Sequence, residues 1–496
     1  MSHGFPKNSP VFSGVMSPSR VEADILDLEI EGELPPQLNG ALYRAGPDNR
    51  FPPMLGDDTI VHGDGMITML RIQNGRASFR SRYVRTDRFL AEEKAGRSLF
   101  GAYRNPYTDD PSVAGVDRGT ANTNVVFHAN RLLALKEDAL PIEIDPLTLK
   151  TIGKWNAEGT ITSPVVTAHP HPDARTGELL MFGYQAKGIG SNDVVFLPVN
   201  ADGQVPRETW FKAPYPCLMH DWFATEHYAL FPVSPAVTFP ERVKKGAPYY
   251  MWDSTKPSYI GVLPRDGSGE ARWFKGPARF AMHFVNAWEE NGRIILQAAM
   301  ASPESPPMFP PADAAEPPKE WKNGTIKIVN WSMDMSDTDD RIEETNLIDD
   351  DLFIEFPRID ARFETVRHRY VWWLRKDFRR PSVPHLLSVV SFNGIERRDE
   401  LTGELDTYWT DDRWALGEPL FVPRQPGCAE GDGFIIAPVF RIEGQGNAYM
   451  VFEAMNIAQG PIATVHVPFH FRPAFHGNWV TSEEIDVAVA KRTAHA

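Results

Sequence analysis

Short apolar runs separated by turn residues recur along the whole chain. Runs such as ITMLRI, RIILQAAM and FIIAPVFRI are about the length of a β-strand, and long amphipathic helical patterns are rare. Glycine-containing turns of the kind found in β-hairpins separate several runs, among them Asn291-Gly292, Asn323-Gly324 and Gly444-Gln445-Gly446. The pattern predicts an all-β protein.

The strands are spread evenly, with no central linker, so we expect a single domain over residues 1–496. A β-propeller is the natural way to close so many strands. Seven blades of about 40–45 residues would use about 300 residues, and the surplus would form loops capping one face. The proline-rich segment 302–320 is the best candidate for such a loop, because proline breaks strand ladders. The blade count itself does not follow from the sequence.

Charge and cysteine content narrow the class of partner. The formal net charge is −15, which argues against nucleic acid or an anionic membrane as the main partner. The two cysteines cannot form a disulfide framework. No apolar run resembles a signal peptide or approaches the ~20 residues of a membrane span. We expect a cytoplasmic protein that acts on a small molecule, and whether it forms a homodimer is left open.

One apolar run, RLLALKEDALP, ends in three charged residues, Lys136, Glu137 and Asp138. The ordinary interpretation is that the strand reaches solvent there. Four histidines raise another possibility, because each has apolar or aromatic neighbours near a predicted strand edge or turn. They are His169, His220, His283 and His476.

A single histidine of this kind is more often structural than a metal ligand. The sequence gaps of 51, 63 and 193 residues exclude a local zinc-finger loop. In a propeller, however, the inner strands of different blades converge on one axis, so residues far apart in sequence could meet there. The four histidines are therefore candidate metal ligands.

The segments around these histidines resemble the iron-binding segments of the carotenoid cleavage oxygenase family. ALYRAGPDNRF and VHGDGMI are similar to its N-terminal signatures, and TANTNVV, FIEFPRID and AEGDGF resemble further landmarks in the expected order. The resemblance runs from about Ala41 to Trp479. It implies a seven-bladed β-propeller with Fe(II) on its axis, held by the four neutral imidazoles and open to O2. The choice of iron rests on the resemblance, because imidazole also suits zinc and copper.

The resemblance also implies which residues support the metal. Carboxylates that accept the histidines' other ring N–H fix the tautomer and spread the positive charge. By resemblance these are Glu137, Glu355 and Glu430, and Thr123 is similar to a residue that blocks one coordination position. The family pattern selects His169 over its neighbour His171. It leaves His62 and His128 as structural histidines.

Lysine at position 136 is similar to the lignostilbene dioxygenase branch of the family. There a lysine and a tyrosine, here Lys136 and Tyr103, bind the phenol of the substrate. The resemblance implies that the enzyme uses O2 to cleave the central double bond of 4-hydroxystilbenes into two aromatic aldehydes. A bound phenolate would make the alkene electron-rich enough to react. Phe309, in the proline-rich segment, is the candidate for stacking on the stilbene.

Two other functions stay open at this point. An apocarotenoid-cleaving oxygenase would share the iron site, but a buried ammonium beside a polyene would cost several kcal/mol. A non-catalytic propeller acting as an interaction scaffold is the third possibility, and it predicts no bound iron. The retention of all four histidines argues against the scaffold.

Overall fold

A computed structural model describes residues 4–302, 309–312, 325–336, 338–347, 353–380 and 392–493. Strands make up most of the regular structure, so the prediction of an all-β protein is confirmed. The helices are few and short within these ranges: α1 is Asp87–Ala95, α2 is Pro240–Val243 and α3 is Ser482–Thr493. Short 3-10 turns cover Gly14–Met16, Ile60–His62, Pro106–Thr108, Pro111–Val113, Ala157–Gly159, Ala361–Phe363 and Ile457–Gln459.

The strands follow one another along the chain. The first nine are β1 Ala23–Ile25, β2 Glu29–Gly32, β3 Gly40–Pro47, β4 Gly65–Gln73, β5 Arg76–Tyr83, β6 Asn124–His128, β7 Arg131–Leu135, β8 Ile142–Ile144 and β9 Thr151–Lys154. The middle of the chain contains β10 His171–Asp173, β11 Glu178–Tyr184, β12 Asp193–Val199, β13 Thr209–Lys212, β14 Phe223–Ala224, β15 Tyr228–Val233, β16 Ala236–Val237, β17 Met251–Trp252, β18 Ser258–Pro264, β19 Arg272–Gly276, β20 Ala281–Glu290, β21 Arg293–Ala301, β22 Ile326–Asp334, β23 Ile342–Asn346 and β24 Phe353–Ile359. The last nine are β25 Tyr370–Lys376, β26 Gly394–Asp399, β27 Leu405–Trp409, β28 Trp414–Leu416, β29 Leu420–Pro423, β30 Gly433–Arg441, β31 Asn447–Glu453, β32 Ala463–Val467 and β33 His476–Thr481.

The chain divides into two compact units. The first unit combines Met1–Asn156 with Trp372–Ala496. It contains a sheet in the order β1-β5-β4-β3-β33, a second in the order β2-β32-β31-β30-β28, and a four-stranded meander β6-β7-β8-β9. The last strand of the chain thus pairs with β3, near the start, and this pairing holds both ends of the chain in one sheet.

The second unit is Ala157–Val371. Two four-stranded sheets, β10-β11-β12-β13 and β14-β15-β18-β19, are antiparallel meanders, and β20, β21 and β22 form a longer ladder with β23 and β24. Four-stranded antiparallel sheets of this kind are the building blocks of propellers. The number of blades and the single domain over residues 1–496 stay predictions.

Some strands are buried along their whole length, and others are buried on one face only. Every residue of β3 and β12 is buried, whereas β5 alternates between buried and partly exposed positions. Alternation marks a strand with one face toward solvent, and continuous burial marks a strand that is covered on both faces. The continuously buried strands therefore form the cores of the two units.

The predicted hairpins are found where the structure describes them. Asn291 and Gly292 have φ angles of 52° and 77°, as a type I′ turn requires, and they join the antiparallel strands β20 and β21. Gly444-Gln445-Gly446 likewise lies between the paired strands β30 and β31. Asn323-Gly324 and most of the segment 302–320 lie outside the described residues.

Candidate active site

Three of the four candidate histidines lie at strand beginnings in the second unit. His169 precedes β10, His220 precedes β14, and His283 is the third residue of β20. The pairing of β20 with β21 is irregular around Phe284, which marks a β-bulge next to His283. Bulges commonly redirect a side chain near an active site.

These three imidazoles are grouped together. His169 Nε2 lies 3.1 Å from His220 Nε2, and the His283 ring centre is 5.4 Å and 5.3 Å from those of His169 and His220. Two nitrogens bound ~2.1 Å from one ion at a right angle are ~3 Å apart, so the 3.1 Å separation fits a pair of metal ligands. His169 is also fixed through its main chain, because the Trp222 indole N–H donates to its carbonyl at 2.6 Å.

The fourth histidine, His476, is the first residue of β33 in the first unit, and its N–H donates to the carbonyl of Thr123 at 3.2 Å. Within the described part of the chain, His169, His220, His283 and His476 form a group that could hold a metal ion. One ligand atom from each lies within 4.8 Å of the others. The sequence-predicted ligand set is therefore brought together, and four imidazoles suit Fe(II), Zn(II) or Cu(II).

Two of the four histidine rings form a hydrogen bond with a carboxylate. Glu355 Oε2 accepts from His283 Nδ1 at 2.5 Å, as predicted. Glu418 Oε1 accepts from His476 Nδ1 at 2.7 Å. In both rings, Nδ1 faces a carboxylate and Nε2 is left for a metal, which is the usual arrangement of histidine ligands.

The carboxylate at His476 Nδ1 is Glu418, which the sequence analysis did not single out, and the role of Glu430 as a carboxylate that supports the metal stays a prediction. Glu418 is buried between β28 and β29, where Arg44 pairs with it at 3.3 Å. Glu430 lies in a partly exposed turn after β29. The signal for Glu418 was present in WALGEPLFVP, where a single acidic residue interrupts two apolar runs.

His169 lies near a group of ionisable residues that the sequence analysis did not identify. Asp221 Oδ1 lies 3.7 Å from His169 Nδ1 and 3.5 Å from His171 Nε2, and His171 Nδ1 is 2.8 Å from Glu364. Burial alone would lower the pKa of His171, but the two carboxylates raise it to about 9. Burial would raise the pKa of Asp221, and the hydrogen bond and positive charge of His171 hold it below the usual range instead. His171 is thus a charged structural residue, in agreement with its exclusion as a ligand.

The other two excluded histidines are not members of the four-histidine group. His62 is buried and its Nδ1 lies 2.8 Å from Asp58. Burial and nearby arginines lower the pKa of His62 to about 4, so its ring is neutral. His128 ends β6 and is partly exposed.

In the first unit, Lys136 and Glu137 follow β7 directly, because β7 ends at Leu135. Both side chains are buried, 4% and 3% exposed, so the interpretation that the strand reaches solvent is wrong. Burial of two adjacent charges demands partners.

Tyr103 supplies a partner for each of these charges. Its hydroxyl donates to Glu137 Oε1 at 3.0 Å, and Lys136 Nζ lies 5.2 Å from its ring centre. Lys136 also donates to Thr123 Oγ1 and to the Val61 carbonyl, both at 3.4 Å. Tyr103, Lys136, Glu137 and Thr123 therefore form one cluster.

Arg104 is a neighbour of this cluster that the sequence did not reveal. It is 9% exposed, with Nη1 3.9 Å from Glu137 Oε1 and Nε 3.7 Å from Asp138. Its positive charge offsets part of the negative charge of Glu137 and Asp138. A role for Glu137 as acceptor from a ligand histidine stays a prediction.

Phe309 lies in a described part of the proline-rich segment. Its ring makes edge contacts with Tyr250 and Phe280, at centroid distances of 5.9 Å and 5.4 Å. These contacts show an aromatic cluster in the second unit. They do not test the stacking of Phe309 on a substrate, which stays a prediction.

Comparison with known proteins identifies the family to which the chain belongs. The family model described as retinal pigment epithelial membrane protein matches residues 16–481. The chain belongs to this family, which is the carotenoid cleavage oxygenase family, so the predicted family is confirmed.

Three relatives narrow this class. Isoeugenol monooxygenase of Pseudomonas putida is 40% identical, over 96% of this chain and 98% of its own. Lignostilbene-alpha,beta-dioxygenase isozyme III of Sphingomonas paucimobilis is 40% identical, over 98% of this chain and all of its own. The crystal structure of Pseudomonas brassicacearum lignostilbene dioxygenase is 39% identical, covers 97% of this chain and all of its own, and has a TM-score of 0.91. The protein is an enzyme of this oxygenase class.

No helix in the described ranges is long and apolar enough to cross a membrane.

Proposed function

We propose that the protein is an Fe(II)-dependent dioxygenase that uses O2 to cleave the central double bond of 4-hydroxystilbenes. Each alkene carbon gains one oxygen atom of O2, so the reaction is balanced and its products are two aromatic aldehydes. The observation that carries this choice of substrate is the buried ammonium of Lys136 beside Tyr103. A buried cation at this position can pair with the ionised oxygen of a substrate that has an acidic hydroxyl.

His169, His220, His283 and His476 would hold the iron. The donor set fits, because four imidazoles with two Nδ1 atoms bonded to carboxylates leave Nε2 atoms as ligands. When bound, Fe(II) supplies the activation of O2. The proposed role of Thr123 near the metal is supported by the hydrogen bond from the His476 N–H to its carbonyl.

Lys136 and Tyr103 would bind the phenol of the substrate. The ammonium favours the phenolate, because an adjacent positive charge lowers the pKa of an acid. The Tyr103 hydroxyl can donate to the phenolate oxygen once it turns from Glu137. Both residues thus hold the substrate by one end and keep its oxygen deprotonated.

Phenolate formation also explains the reactivity of the alkene. Negative charge on a para oxygen is delocalised through the ring to the double bond, and the bond becomes electron-rich enough to react with O2. Phe309 would stack against the stilbene rings, and its contacts with Tyr250 and Phe280 place it in an aromatic cluster suited to that role.

An apocarotenoid substrate is disfavoured by the same lysine. A polyene offers the ammonium of Lys136 no hydrogen bond and no opposite charge, so only the hydrogen bonds to Thr123 and the Val61 carbonyl would offset its desolvation. The non-catalytic scaffold is set aside, because the chain belongs to an oxygenase family and contains the four-histidine group.

A second substrate class is favoured by one comparison. The relative named isoeugenol monooxygenase is as similar to this chain as the one named lignostilbene dioxygenase, at 40% identity each. Isoeugenol is also a phenol with a conjugated alkene para to its hydroxyl, so Lys136 and Tyr103 could bind it in the same manner. Relative kcat/KM for isoeugenol and 4-hydroxystilbene would rank the two classes.

The proposal includes a cytoplasmic location. Cys217 and Cys428 are both reduced cysteines, which suits a reducing compartment. Fractionation of the native host would test this location.

Product analysis under ¹⁸O2 tests the proposed reaction. Protein purified without oxygen and loaded with Fe(II) is given 4-hydroxystilbene. The expected products are 4-hydroxybenzaldehyde and benzaldehyde, each with one labelled oxygen, and metal-free protein should yield neither. Equal cleavage by the metal-free protein would overturn the proposal.

A further inference from the structure

Asp221 connects the three histidine segments of the second unit. It follows His220 directly in the chain. Its Oδ2 accepts from the N–H of Phe284 at 2.8 Å, and Phe284 follows His283. Its Oδ1 faces His169 Nδ1 at 3.7 Å. One buried carboxylate, 5% exposed, therefore contacts or adjoins all three segments.

The Phe284 N–H is available to Asp221 because of the β-bulge. The register of β20 against β21 shifts on both sides of Phe284. A bulge locally disrupts the ladder of hydrogen bonds between two strands. Asp221 thus provides the acceptor for a main-chain group of the bulge that presents His283.

His171 and Glu364 hold Asp221 in turn. His171 Nε2 lies 3.5 Å from Asp221 Oδ1, and its Nδ1 lies 2.8 Å from Glu364 Oε2. The His171 ring packs on Phe223, with centroids 4.0 Å apart. The chain Glu364–His171–Asp221 is therefore fixed at its centre by packing and at its end by an ion pair.

We propose that Asp221 is a positioning residue for the metal centre: it fixes the orientation and tautomer of His169 and ties the segments of His169, His220 and His283 together. The 3.7 Å separation from His169 Nδ1 is longer than a direct hydrogen bond, so this interaction is electrostatic. A negative charge there favours the tautomer with hydrogen on Nδ1, which leaves Nε2 as the ligand atom. Glu355 and Glu418 do the same for His283 and His476 by direct bonds.

This inference rests on the four-histidine metal site of the proposed function, and Co(II) is a suitable probe for it. Affinity for Co(II) alone is measured by competition with a chromophoric chelator, and the visible absorption of the Co(II) protein reports ligand geometry. Asp221→Asn removes the charge and keeps the shape. We expect about a 10- to 100-fold loss of affinity and a changed visible spectrum.

The matched control is Glu344→Gln. Glu344 is a partly buried carboxylate of the same unit that binds Arg279 and the indole of Trp331. We expect its replacement to leave Co(II) affinity and spectrum unchanged. If Asp221→Asn does not fold, Glu364→Gln decides the question, because it loosens His171 from the outer end; a loss of about 3- to 10-fold is expected.

The outcomes separate this inference from the proposed function. Wild-type affinity and spectrum in folded Asp221→Asn, or in Glu364→Gln where the first variant does not fold, would overturn the positioning role and leave the proposed reaction intact. Weakened Co(II) binding in these variants, with no stilbene cleavage by the wild-type iron enzyme, would support the positioning role and overturn the proposed reaction.

Discussion

The ammonium of Lys136 lies 5.2 Å from the centre of the Tyr103 ring, and the lysine is 4% exposed. A buried ammonium is costly unless charges or hydrogen bonds compensate it. Hydrogen bonds to Thr123 and the Val61 carbonyl, together with the Tyr103 ring, provide compensation in the structure. A phenolate bound beside Lys136 would add an opposite charge. The buried lysine therefore favours a phenolic substrate.

Lys136→Met should keep the metal and lose most of the activity. A hydrogen bond to a charged group contributes ~1.5–3 kcal/mol, so kcat/KM for 4-hydroxystilbene should fall about 10- to 100-fold. Iron content, measured by metal analysis, should stay at the wild-type level. Lys376→Met is the control, because Lys376 is a buried lysine of the same unit, 7% exposed. Wild-type turnover by Lys136→Met would remove the proposed role of the lysine.

Tyr103→Phe should have a smaller effect than the loss of Lys136. The substitution removes one hydrogen bond to the phenolate but leaves the charge of Lys136 in place, so we expect a loss at the low end of ~1.5–3 kcal/mol and a fall in kcat/KM of about 10-fold. Steady-state kinetics at fixed iron loading provide the measurement. Tyr107→Phe is the matched control, since Tyr107 lies four residues away and is 55% exposed. An equal loss in both variants would contradict a specific role for the Tyr103 hydroxyl.

Glu418→Gln and Glu430→Gln distinguish the two glutamates. The first removes the charge that accepts from His476 Nδ1, and metal affinity should fall about 10- to 100-fold. The second affects a partly exposed turn and should leave affinity unchanged. Competition with a chelator measures both. The opposite ranking would favour Glu430, as the sequence suggested, over Glu418 as a carboxylate that supports the metal.

Asp48 should make stability depend on pH. Burial raises its pKa from 3.8 to about 7, so the folded state retains the proton over a range where the unfolded state has lost it. The stability that the bound proton contributes is present below about pH 4 and is lost as pH rises to about 7. Asp48→Asn should therefore gain on the order of 2–4 kcal/mol relative to wild type between pH 4 and 7.5.

Urea unfolding at both ends of this pH range measures that gain. Asp27→Asn is the control, because Asp27 is an exposed carboxylate paired with Arg76. A constant difference between Asp48→Asn and the wild type across the range would contradict the shifted pKa of Asp48.

Much of the fold could be predicted from local pattern. Apolar runs of strand length and the turn at Asn291-Gly292 indicate antiparallel hairpins, because turn type and strand length are local properties. The pairing of β33 with β3 could not be predicted in this way. It joins residues more than 400 positions apart, and no local signal specifies such a partner.

Only part of the candidate site could be predicted from the sequence. The four histidines and the pair Tyr103 and Lys136 depended on family resemblance, which carries long-range information that residue patterns lack. Asp221 was missed because a carboxylate after a histidine has an ordinary surface interpretation in a single sequence. Glu418 was missed because its partner His476 is 58 residues away, and a nearby family motif drew attention to Glu430.

Comparison of 4-hydroxystilbene with 4-methoxystilbene tests whether the enzyme needs an ionisable hydroxyl on its substrate. The two substrates differ only in whether the oxygen can ionise, and both are given to wild-type enzyme and to Lys136→Met at equal iron loading. We expect fast cleavage of the phenol by the wild type, little cleavage of the methyl ether, and similar slow rates for both in the variant. Equal cleavage of the two substrates by the wild type would show that the phenolate, and with it Lys136, has no role in the reaction.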